Sequence, residues 1–95
     1  MSSSANDHPT DLGLSRAESW VVHAALLSVI ETAVEEGERP GRPLALLRQV
    51  ERGDDRFDDG QLAYLSDVLS TYLEEAPPRD VGPARAVLAG IEYAR

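Results

Sequence analysis

Apolar side chains return at helical intervals over residues 16–36. At 100° per residue, Val22, Leu26, Leu27, Val29, Ile30, Ala33 and Val34 share one broad face, while Ser28, Glu31, Thr32, Glu35 and Glu36 fall opposite. This spacing predicts a core helix over 16–36. Its start is signalled by Ser15 with Glu18 three residues later, the spacing at which serine accepts one orphan N–H and glutamate reaches back to another. Gly37 suits the left-handed residue that closes a helix. The stretch "ERPGRP" breaks the chain, and Pro43 fits the first position of a second, short helix over 43–52, where its missing N–H is an orphan anyway. Leu44, Leu47 and Val50, with Leu46 beside them, form its stripe, and Gly53 ends it. Leu62, Leu65, Leu69, Tyr72 and Leu73 predict a third helix over 59–75. "APPRD" terminates that run. Asp80 is placed to cap a fourth helix over 81–94, with Pro83 in its first turn and Ala84, Val87, Leu88, Ile91 and Ala94 as the apolar stripe.

No stretch alternates at period two for long enough to make a strand, and no internal repeat is present. Residues 1–13 are small, polar and aperiodic, and read as a mobile, disordered N-terminal tail before a single helical domain over 14–95. The expected class is all-α: a compact antiparallel bundle of four helices, the second one short.

One segment raises a chemical alternative. "GDDRFDDGQL" at 53–62 crowds four aspartates and a glycine around Phe57, as a calcium loop would. A loop starting at Asp55 places Gly60 and Leu62 well, but puts Phe57 where an oxygen ligand is needed and Ser66 where the bidentate glutamate belongs. The helix-start reading satisfies every position. Asp58 is the N-cap, Gln61 completes the box, Phe57 and Leu62 form the hydrophobic staple, and Asp59 opposes the positive end of the dipole.

Composition narrows the function further. A chain of 95 residues is one domain's worth, with a modest core. It contains no cysteine, which excludes disulfides, thiolate metal sites and cysteine nucleophiles. Seventeen acidic residues stand against nine basic ones, all nine of them arginine, for a net charge of −8. That field opposes general affinity for nucleic acid or anionic membrane. We read the evenly spread acidity and the absence of lysine as adaptation to molar intracellular salt, in preference to a purpose-built acidic face; a GC-rich genome also favours arginine. The start "MSSSANDHPTDLGL" lacks the basic and apolar regions of a signal peptide, and the near-apolar stretch Trp20–Ile30 is short for a bilayer, so a cytoplasmic location without membrane contact is expected.

The segments "WVVHAALLSVIE", "LALLRQVERG" and "APPRDVGPARAVL" together resemble a family of small haloarchaeal proteins of unknown function, over residues 14 to about 92. The resemblance implies a helical fold and a salt-in cytoplasm. It carries no activity and no functional residues.

Candidates for chemistry are few. His23 sits on the apolar face between Leu27 and Ile30. Catalysis would need a nucleophile or a second acid–base group held against it, and it reads as a core or rim histidine with one ring nitrogen bonded. No phosphate loop, nucleotide fingerprint, zinc-helix or serine motif occurs, so no catalytic residue, cofactor or metal is expected. Arg39, Arg42, Arg48, Arg52 and Arg56 form the one locally basic region. It could dock an acidic partner or a phosphate, or its arginines could pair with neighbouring acids. Trp20 and Tyr64 lie off the main stripes, where aromatic side chains can anchor an interface. The candidate partner-binding residues are therefore Arg48, Arg52, Arg42, Trp20 and Tyr64. They suit a non-enzymatic module that binds another protein or itself; the alternative is a transcription-related regulator that contacts nucleic acid or a DNA-binding protein through Arg39–Arg56.

Overall fold

Four helices form in a computed structural model that describes residues 9–95: α1 (Arg16–Glu35), α2 (Gly41–Glu51), α3 (Asp59–Leu73) and α4 (Pro78–Ala94). The all-α class and the four-helix layout are as the periodicity predicts. The part of the expected tail at residues 1–8 lies outside the described residues.

The helix ends follow from local chemistry. The Ser15 hydroxyl accepts from the Glu18 N–H at 3.1 Å, and Glu18 Oε1 accepts from the Ser15 N–H at 2.8 Å. The same reciprocal pair opens α3: Asp58 Oδ1 accepts from the Gln61 N–H at 2.8 Å and Gln61 Oε1 accepts from the Asp58 N–H at 2.9 Å. Both α1 and α2 close on a glycine with positive φ, 75° at Gly37 and 77° at Gly53. In each, the next N–H reaches back past a full turn, Glu38 to the Ala33 carbonyl and Asp54 to the Gln49 carbonyl, so these two carbonyls are satisfied without water.

Two helix starts differ from expectation. α2 begins at Gly41, two residues before Pro43, which stays within the first turn, where its missing N–H costs nothing. α4 begins at Pro78 and not at 81. Pro78 at the first helical position supplies the right φ without a side-chain cap. Asp80, expected as that cap, instead lies inside the helix and is only 5% exposed. The earlier start also moves Pro83 from the first turn to the second.

The segment 10–13 is not free tail. Thr10–Asp11 (β1) pairs antiparallel with Arg56–Phe57 (β2), Thr10 opposite Phe57 and Asp11 opposite Arg56. The Leu12 N–H donates to the Asp55 carbonyl at 3.1 Å, and the Leu14 N–H to Asp55 Oδ2 at 3.0 Å. Leu12 and Leu14 pack against the core, and this burial holds a two-residue ladder too short to leave a period in the sequence.

α1 contacts each of the other three helices, and α4 also packs on α3. The core is built from Val22 and Leu26 of α1, Leu46 of α2, Leu62, Leu65 and Leu69 of α3, Val87 and Ile91 of α4, and Phe57. Phe57 and Leu62, the expected staple, are both fully buried.

Candidate interaction face

The aspartates of 53–62 act on their own backbone. Asp54 Oδ1 accepts from the Arg56 N–H at 3.1 Å, Asp55 holds the N-terminal segment, and Asp58 caps α3. Gln49 straps the turn from the other side, donating to the Arg56 carbonyl at 2.6 Å. Among the described residues no three metal-ligating side chains come together.

The five candidate residues do not converge. Arg42 lies at the start of α2, its guanidinium 4.7 Å above the Tyr64 ring and its Nη2 donating to the Gly60 carbonyl at 3.0 Å. This pair pins the N-terminal ends of α2 and α3 together. Burial raises the Tyr64 phenol pKa above its ordinary value, and the Arg42 charge opposes that rise. Tyr64 is half-buried, so it serves packing more than docking. Arg48 and Arg52 project from exposed positions, and among the described residues neither forms an ion pair. Arg52 lines a polar depression with Asp11, Asp54, Asp55 and Arg56. Arg42 is turned about 120° from Arg48 around α2, at 100° per residue. These arginines therefore divide: Arg42 braces Tyr64, Arg48 and Arg52 point outward, and Arg56 lies 3.6 Å from Asp54. They build no single anion cradle.

Trp20 stands apart from these. It is 60% exposed and stacked on His23, with ring centroids 6.1 Å apart and planes inclined by 12°. His23 Nε2 in turn lies 3.0 Å from Glu51 Oε2, tying α1 to the last residue of α2. His23 is thus the expected rim histidine, held in place and also holding the tryptophan. Trp20 separates two grooves. One, of about 610 Å³, runs between the starts of α1 and α4 and is lined by Arg16, Ala17, Val21, Arg79 and Pro83. The other, of about 360 Å³, runs towards α2 past Ser19, Val50 and Glu51.

Two further residues join Trp20 that sequence reasoning assigned to the core. Leu27 is 38% exposed and Val34 60% exposed. The buried arc of α1 is Val21, Val22, Ala25 and Leu26, with Val29 and Ile30 half-buried beside it. Trp20, Leu27 and Val34 recur every seven residues, so at 100° per residue they fall within about 40° of one another, opposite that arc. The sequence carried part of this signal: the seven-residue spacing of Trp20, Leu27 and Val34 places them together, on the side of α1 that also carries Glu31 and Glu35. By length and composition the whole helix is long and apolar enough to cross a membrane, yet only 22% of that window is buried in the fold. The result is an exposed row of three apolar side chains spanning about 21 Å at 1.5 Å per residue, with the exposed Glu31 at its edge, about 40° from Leu27.

The model of a family of unknown function (DUF7853) matches residues 12–92, and the chain belongs to that family. No curated protein and no solved structure matches the chain.

Proposed function

We propose that this DUF7853 protein is a non-enzymatic interaction module of a halophilic cytoplasm, and that its contact surface is the outer face of α1. The observation that supports this reading is the stripe of Trp20, Leu27 and Val34. These are three of the four large apolar side chains exposed among the described residues, and one helix face carries them in register. A soluble chain loses stability and solubility by leaving such a stripe in water, so a partner that covers it accounts for its presence. The stack on His23 presents Trp20 in one orientation, which lowers the ordering cost of docking. In molar salt, charge steering reaches only a few ångströms, and an apolar stripe keeps its strength where exposed ion pairs do not.

The exposed Arg48 and Arg52 support the second reading, contact with nucleic acid or a DNA-binding protein through the Arg39–Arg56 region. The net charge of −8 and the dispersal of the arginines weigh against it.

The test is a photo-crosslinking residue placed at position 27 in cells, with the same residue at the exposed position 85 as control. The reading expects a discrete protein adduct from position 27 alone. Adducts of equal yield from both positions, or none from either, would refute it.

A further inference from the structure

Resting on that reading, we propose that the partner covering α1 is a second copy of this chain, packed antiparallel across a twofold axis at Leu27. The stripe is symmetric about that residue, with Trp20 seven positions before it and Val34 seven after. A twofold interface needs a surface that complements itself, so that residue i meets residue j and j meets i. Antiparallel pairing sets Trp20 of each copy against Val34 of the other and Leu27 against Leu27. A large side chain then opposes a small one at both ends, and the helix axes keep one separation along the seam. Parallel pairing opposes tryptophan to tryptophan at one end and valine to valine at the other, which spreads the first and leaves a void at the second.

Charge selects the same direction. The start of α1 carries Arg16 and the capping Glu18, which nearly balance, whereas its far end carries Glu31, Glu35 and Glu36 with no basic residue in the last turn. Antiparallel helices bring each nearly neutral start, with its Arg16, to the other copy's glutamate end and oppose the two helix dipoles. Parallel helices would place glutamates against glutamates. Dimerisation also supplies the buried apolar surface that a domain of this length lacks by itself.

Salt dependence follows with a definite sign. Two chains that each carry −8 repel over the whole surface, whereas the seam is apolar. Screening therefore strengthens association, and the dimer is tighter in molar KCl than in dilute buffer.

The absence of cysteine makes the experiment clean. Sedimentation equilibrium of the full chain in molar KCl should give the mass of a dimer. Leu27→Asp places two carboxylates at the axis and should weaken association by about a hundredfold or more, about 2.7 kcal/mol, with helicity unchanged by circular dichroism. Under mild oxidation Leu27→Cys should form a disulfide-linked dimer, because it meets itself at the axis, and Val34→Cys should not. A monomer mass at every concentration overturns the proposal, as does Val34→Cys linking to itself as readily as Leu27→Cys, which marks a parallel pair. The broader reading fails separately. If the position-27 crosslinker captures a different protein while the pure chain stays monomeric, self-association falls and the docking face stands. If it captures lipid alone, both fall.

Discussion

Tyr72 donates its hydroxyl to Asp80 Oδ2 at 2.7 Å, joining α3 to the first turn of α4. Among the described residues Asp80 is the one buried charged side chain, with Arg79 Nε at 3.9 Å as its other close partner. Tyr72→Phe removes the donor, keeps the ring, and leaves the carboxylate poorly solvated. A hydrogen bond to a charged group contributes about 1.5–3 kcal/mol, and a domain of this kind has roughly 5–15 kcal/mol in total. The variant should therefore lose about 1.5–3 kcal/mol in urea unfolding, followed by circular dichroism in molar KCl, with the denaturant slope unchanged. In an Asp80→Asn background the same substitution should cost less by about 1 kcal/mol or more. The pH dependence carries an independent check. Burial first, then the hydrogen bond and charge of Asp80, push the Tyr72 pKa up from 10.0 to about 12. The folded state holds that proton more tightly than the unfolded chain. Its contribution is complete below pH 10 and is lost as pH climbs towards 12. Tyr72→Phe should flatten most of the alkaline loss and retain the smaller part due to Tyr64, whose pKa is also raised. A variant within about 0.5 kcal/mol of wild type, with the alkaline slope intact, would refute the reasoning.

Three other expectations bear on the fold and the arginines. Phe57→Ala empties a fully buried site beneath β1 and α3, and should cost about 3–5 kcal/mol in thermal or urea unfolding. Gly53→Ala forces a Cβ into a left-handed position, φ 77°, in otherwise open space, and should cost about 1–2 kcal/mol by the same assay. Arg48→Gln with Arg52→Gln should leave stability within about 0.5 kcal/mol. It should also leave the mass of the proposed dimer unchanged, while loss of nucleic-acid retention on the same double variant would favour the regulator reading.

Much of the fold was legible because its signals are local. The boxes at Ser15–Glu18 and Asp58–Gln61, and the glycines at 37 and 53, act within one turn of chain, and each formed as its spacing requires. The same boxes explain why the aspartate-rich segment is a helix start. What the sequence left open lies where two distant segments choose one another. The pairing of Thr10 with Phe57 spans the first two helices and rests on the burial of Leu12 and Leu14. The early start of α4 is coupled to Tyr72, which offers Asp80 a buried partner in place of a cap.

The candidate site divides in the same way. Trp20 was singled out from its place beside the stripe, but Leu27 and Val34 were read as core and are exposed. Residue order alone determined that α1 is a long helix, capped at both ends, with a broad apolar face that extends to Leu27 and Val34. It could not determine which arc would be covered. An apolar face wider than its neighbours can cover satisfies the same period wherever it is buried, and the choice belongs to the helices that pack on it. Here α2, α3 and α4 close over Val21, Val22, Ala25 and Leu26. Burying that arc turned the opposite one outward, which is why the exposure of Trp20, Leu27 and Val34 became visible only in the tertiary structure.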